Sequence, residues 1–265
     1  MNFLAHILLS GEEDDLLKLG NFMGDTVRGK QYLDYPEEVQ RGILLHRQID
    51  TFTDAHPLFR ESKRRLVPHY GHYAGVITDI FYDYFLTKHW HTFSSEDLDS
   101  YIERFYRLLQ EKKEVLNPQM QSIAGYMIRD NWLKAYQTYS GLAQILYQMD
   151  RRTEFRSQMQ YAVTSLQAEE PLFEAEFLPF FKEIQEFVHQ GYKLAAVKAL
   201  KDASGVDLKQ AKDIIDDLDL DNTIDLNARI ASAKSHYSEN YERISATSDA
   251  NGSNVHFYYQ KGNVK

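Results

Sequence analysis

The sequence predicts an all-α fold over its first 190 residues, followed by a tail of different character. Apolar residues recur at three- and four-residue spacing with few β-branched alternations between them. Prolines and capping residues punctuate the chain at helix-length intervals. After residue 190 the composition shifts, which sets the tail apart. Residues 16–29 read as a helix burying Leu16, Leu19, Phe22 and Met23 and ending near Gly29. Pro36-Glu37-Glu38 opens the next helix, because proline suits the first turn and acidic residues there favour the helix dipole. That helix runs through Val39, Ile43, Leu44 and Ile49 and stops before Pro57. Residues 75–90 form an aromatic-rich helix, and the stripe Tyr70, Tyr73, Phe81, Tyr82, Tyr84 and Phe85 reads as core. Ser94-Ser95-Glu96-Asp97 signals the start of a helix through Leu116, which Asn117-Pro118 breaks. Further helices are expected at 119–131, 132–148, 151–169 and 171–189.

The tail reads as two pieces. Residues 191–218 form two short amphipathic helices joined at Ser204-Gly205. Residues 243–248 and 255–259, on either side of Asn251-Gly252, read as the two strands of a hairpin, a unit that is marginal in water by itself. The expected domains are therefore 1–187, a small helical module at 188–222 and a tail at 223–265.

Composition narrows the chemistry. The chain of 265 residues contains no cysteine, which removes disulfides, thiolate nucleophiles and cysteine-ligated metals. Any metal must be held by His, Asp, Glu or carbonyl oxygen. The apolar run at residues 3–9 is interrupted by His6 and leads into Glu12-Glu13-Asp14-Asp15, so it reads as neither signal peptide nor membrane span. A cytoplasmic protein with no membrane partner is expected. The net charge of −9 argues against nucleic-acid binding, which needs many Lys and Arg contacts to phosphate. Locally the sign reverses: Arg60, Lys63, Arg64 and Arg65 form a basic run.

The chemical signal is a set of acidic and histidine residues at helical spacing. His46 and Asp50 lie four apart, as do Asp79 and Asp83, so each pair projects from one helical face. Both pairs sit among apolar neighbours, where charges need partners. Like charges one turn apart repel, and a cation between Asp79 and Asp83 removes the repulsion. Asp25 and His6 add further donors, and imidazole mixed with carboxylate suits Mn²⁺, Mg²⁺ or Fe²⁺. His89, next to Trp90 and His91, is a candidate for proton transfer or phosphate contact. No glycine-rich phosphate loop or serine nucleophile elbow is present.

These residues carry a resemblance. Met1-Asn2-Phe3-Leu4-Ala5-His6, Gly20-Asn21 with Asp25 and Arg28-Gly29, Gly42-Ile43 with His46-Arg47 and Ile49-Asp50, Thr53-Asp54, and Asp79, Asp83, Phe85-Leu86 and His89-Trp90 resemble the acyl carrier protein phosphodiesterases from residue 1 to about residue 186. That family is similar to the HD superfamily of all-α metal-dependent phosphohydrolases. The resemblance implies an HD-like helical bundle that removes 4′-phosphopantetheine from holo-acyl carrier protein, usually with Mn²⁺. It implies Asp25, His46, Asp50 and Asp79 as catalytic and metal-proximal groups, with His6 and Asp83 next. Arg28 or Arg47 would pair with the phosphate in fork geometry, with His89 nearby. Arg60, Lys63, Arg64 and Arg65 would dock the acidic carrier protein. Separately, Ala196-Val197-Lys198, Ser204-Gly205 and Leu208-Lys209-Gln210-Ala211-Lys212-Asp213 resemble the helix pair in the C-terminal domain of the bacterial ribosomal stalk protein, which implies a small interaction module whose partner is unknown. Two other readings compete: a phosphohydrolase acting on a nucleotide or another small phosphoester, and a non-catalytic helical binding module.

Overall fold

The computed structural model describes residues 2–12, 14–204, 207–217, 243–248 and 255–260. The chain divides into two units, residues 1–185 and 186–265. The first unit is all-α. Its helices are α1 (Phe3–Leu9), α2 (Asp15–Phe22), α3 (Glu37–Ala55), α4 (Pro57–Tyr70), α5 (Ala74–Lys88), α6 (Trp90–Phe93), α7 (Leu98–Glu111), α8 (Pro118–Arg129), α9 (Trp132–Ala135) and α10 (Tyr139–Arg152). The helix α11 (Ala162–Ser204) begins in this unit and extends into the second.

The caps explain most of these boundaries. Asp97 accepts the Ser100 N–H at 3.0 Å and starts α7, while Asn117 accepts the Met120 N–H at 2.9 Å and starts α8 with Pro118 in the first turn. Side-chain oxygens in that position satisfy an amide the helix itself leaves unbonded. Several expectations need correction. The helix expected over 16–29 ends at Phe22, and Asp25 lies on a 3-10 turn, Gly24–Thr26. Helix α4 went unanticipated, although Pro57 at its first position is a start signal. The helix expected over 132–148 is two helices, because Thr138 caps a new start by accepting the Gly141 N–H at 3.1 Å. The expected break at Glu169 before Pro171 is a kink, with Glu169 at φ −128° and ψ 22°. The stop expected at residue 189 is absent, since α11 continues past Gly191 to Ser204.

The core lies where α11 crosses α4 and α5. Phe177 packs on Tyr82 and Phe85 with ring centroids 5.3 and 5.8 Å apart, and Phe180 reaches Tyr82 at 5.1 Å. Phe177, Phe180, Phe181, Tyr82 and Phe85 are wholly buried, and each such ring contributes about 1.5–3 kcal/mol by leaving water. The aromatic stripe is therefore core, apart from half-buried Tyr73.

In the second unit, α12 (Leu208–Asp217) follows α11, and the strands β1 (Arg243–Ser248) and β2 (Val255–Gln260) pair antiparallel, Arg243 opposite Gln260 and Ser248 opposite Val255. The turn expected at Asn251-Gly252 and the boundary expected at residue 222 lie outside the described residues. No helix among the described residues is long and apolar enough to cross a membrane.

Candidate metal centre

The centre is built on the crossing of α2 and α3. Gly20 and Gly42 let the two backbones meet: a Cβ on Gly42 would lie 2.0 Å from the Leu17 carbonyl oxygen, and one on Gly20 would lie 2.3 Å from that of Val39. This close approach brings Asn21 beside His46. His46 Nδ1–H donates to the Asn21 carbonyl at 2.8 Å. Asn21 also ties down His6: its Nδ2 donates to the His6 carbonyl and to Ser10 Oγ, both at 2.8 Å, leaving its Oδ1 to accept from His6 Nδ1–H at 2.9 Å. Both imidazoles thus have their Nδ1 engaged and their Nε2 lone pairs turned to the same place, and the rings stack with centroids 4.1 Å apart. An outer partner on one ring nitrogen that orients the other is the usual support of a metal-binding histidine.

Carboxylates complete the set. His46 Nε2 lies 3.1 Å from both Asp25 Oδ1 and Asp50 Oδ2, and His6 Nε2 lies 3.2 Å from Asp50 Oδ1. His6, His46 and Asp50 each offer a donor atom within 4.8 Å of the others. His6 Nε2 is buried and makes no hydrogen bond of acceptable geometry. A buried acceptor left that way costs about 1–3 kcal/mol, so a lone pair held against a carboxylate calls for a proton or a cation. The separations of 3.1 to 3.2 Å are near the edge of an octahedron with metal–oxygen bonds of about 2.1 Å, roughly 3 Å. The residues fit a hard divalent ion. The imidazoles are buried, whereas the Asp25 side chain is 75% exposed and that of Asp50 39%, so the ion would rest on a protein floor and keep positions open toward solvent.

The electrostatics agree with the geometry. Burial pushes His46 down, but its hydrogen bonds to Asp25 and Asp50 outweigh burial and raise it to about 9. Burial pushes His6 down to about 4. Burial also raises Asp50, yet the bond to His46 and the His6 imidazole beside it hold it well below the usual carboxylate range. Asp25 is lowered by its bond to His46.

The other expected residues have partners or positions of their own. Asp83 is wholly buried and accepts the Leu4 and Ala5 N–H groups at 2.9 and 3.2 Å. It anchors the N-terminus of α1, where backbone amides favour an anion. Its carboxyl is nonetheless pushed up to about 7 by burial. Asp79, on the same helix, lines a cavity of about 220 Å³ that Asp25 also lines, and burial raises its carboxyl above the usual range. Arg47 is taken up by the protein, donating to the Val27 and Gly29 carbonyls at 2.9 and 2.8 Å and lying over the Tyr32 ring. Arg28 is exposed. His89 pairs with Glu174. In the basic run, Arg65 pairs with Glu176 and Glu169, Arg64 pairs with Glu61, and Arg60 donates to the Asp54 carbonyl at 2.8 Å. Asn21 was not assigned a role from sequence, although Gly20-Asn21 stood in the quoted pattern. A buried amide beside a glycine that a second helix needs was the available signal.

The family model described as acyl carrier protein phosphodiesterase matches residues 1–184. A protein of that name from Photorhabdus laumondii is 30% identical over 187 residues, covering 70% of this chain and 94% of the relative. One from Yersinia pestis is 31% identical over 153 residues, covering 57% and 79%. One from Klebsiella pneumoniae is 29% identical over 185 residues, covering 69% and 95%. No solved structure matches.

Proposed function

The chain belongs to the acyl carrier protein phosphodiesterase family, and from that premise we propose that it hydrolyses the phosphodiester joining 4′-phosphopantetheine to a serine of holo-acyl carrier protein. The observation that carries this reading is the meeting of two oriented imidazole lone pairs and two carboxylates, one of which, Asp25, lines a cavity. His6, His46 and Asp50 hold the ion, with Asp25 beside them. The donor set, imidazole and carboxylate without thiolate, supports Mn²⁺, with Mg²⁺ or Fe²⁺ as the alternatives. When bound, such an ion lowers the pKa of its water and polarises a phosphoryl oxygen.

The chain's own residues do the rest. Asn21 keeps both imidazoles in the tautomer that presents Nε2. Asp79, which lines the cavity with its carboxyl raised above the usual range by burial, supplies a proton to the serine oxygen as it leaves. Lys63 and the exposed faces of Arg60 and Arg64 meet the acidic carrier, while half-buried Arg65 is paired with Glu176 and Glu169. The reaction takes place in the cytoplasm, with the carrier.

The test is direct. The purified full-length protein is incubated with Mn²⁺ and holo-acyl carrier protein, and the carrier is weighed by mass spectrometry. Loss of the phosphopantetheine mass is expected. An unchanged carrier mass with metal bound to the protein would refute the substrate.

A further inference from the structure

The cavity beside the metal centre has a wall that the function so far leaves unused. Ile145, Gln148, Met149 and Arg152 of α10 all line it, and their spacing places them on one helical face. Arg152 is exposed at the end of that helix and has no acidic partner among the described residues. The helix end is well fixed. Asp150, wholly buried, accepts from Ser157 Oγ at 2.6 Å, from Thr153 Oγ1 at 3.2 Å and from the Gln160 N–H at 3.3 Å. Of the arginines considered for phosphate binding, Arg47 is committed to backbone carbonyls, and neither it nor Arg28 lines the cavity.

We propose that Arg152 is the phosphate-binding residue of this site, and that the face of α10 it shares with Gln148 seats the pantetheine arm. The proposal rests on the reading above and deepens it, assigning recognition of the arm to residues outside the sequence pattern. The chemistry of the wall matches. A guanidinium presents two parallel N–H groups to two phosphate oxygens, which a lysine cannot do. Gln148 offers a donor and an acceptor to the amides of the arm, and Ile145 and Met149 cover its carbon skeleton. Because Asp25 and Arg152 line the same cavity, one phosphoryl-bearing ligand faces both the metal centre and the guanidinium.

Binding separates this proposal from the reading beneath it. Free 4′-phosphopantetheine and pantetheine, which lacks the phosphate, are titrated calorimetrically into Mn²⁺-loaded wild type, R152A and R152K. Wild type should prefer the phosphorylated ligand. R152A should lose about tenfold to a hundredfold of that affinity while binding pantetheine as before, and R152K should recover only part. With holo-acyl carrier protein, R152A should raise KM far more than it lowers kcat. A wild type that cleaves the carrier while R152A keeps the full phosphate preference, or loses both ligands equally, overturns the proposal and leaves the activity standing. A metal-loaded wild type that does not cleave the carrier overturns both.

Discussion

His46 with Asp50 on α3, and Asp79 with Asp83 on α5, are alike in sequence: each pair is spaced by four and flanked by apolar residues. In the fold they diverge. The α3 pair faces Asn21, His6 and Asp25 and becomes a donor cluster. The α5 pair is split, Asp83 holding the amides of α1 and Asp79 lining the cavity. The lesson is that helical spacing decides which side chains share a face, while the residues opposite decide what the face is for.

Substitutions can break this contrast, and the largest effect falls on the donor cluster. Asp50→Asn should remove bound Mn²⁺ and all measurable turnover, because Asp50 faces both imidazoles; metal content by mass spectrometry checks it. Retention of a full equivalent of metal would refute the cluster. Asp79→Asn should behave differently, keeping the metal while kcat falls by about 10²–10⁴. Equal metal loss in the two variants would erase the distinction between the pairs.

Asp83 sharpens the comparison through stability. Its carboxyl is raised to about 7 in the fold, against about 4 in an unfolded chain. Between those values the folded state binds more protons, so this group's contribution is fully present below pH 4 and is lost as pH rises through 7. Urea denaturation of the metal-free protein should therefore show wild type losing stability relative to D83N over that window, by on the order of 4 kcal/mol. A pH-independent difference would place the carboxyl in the ordinary range. The smallest effect is expected one shell out. Asn21→Ala leaves the His46 bond to the backbone carbonyl but frees His6, and should weaken Mn²⁺ binding by about 10- to 100-fold, read by metal titration.

Much of the centre was legible in the sequence. His46 and Asp50 share a face because four residues make about one helical turn, and the absence of cysteine restricted the donors before any fold was known. Asp25 was named from sequence, but its place on a 3-10 turn was not, since the end of α2 at Phe22 is marked by no proline. Asn21 and Arg152 escaped notice for a common reason. The role of Asn21 is created by a backbone approach between Gly20 and Gly42, and that of Arg152 by a cavity that α10 reaches from about a hundred residues downstream in the chain.

The sequence by itself determined the helical class, the shared face of His46 with Asp50 and of Asp79 with Asp83, and the hard-donor chemistry open to a metal. The tertiary structure alone decided which of those faces meet. It brought His6, Asn21, Asp25 and His46 together, sent Asp83 to the start of α1, and gave Arg47 and Arg65 partners within the fold. The physical reason is range. Spacing along a helix is set by backbone hydrogen bonds a few residues apart, whereas a site is set by which helices pack closely enough for their side chains to share a buried volume.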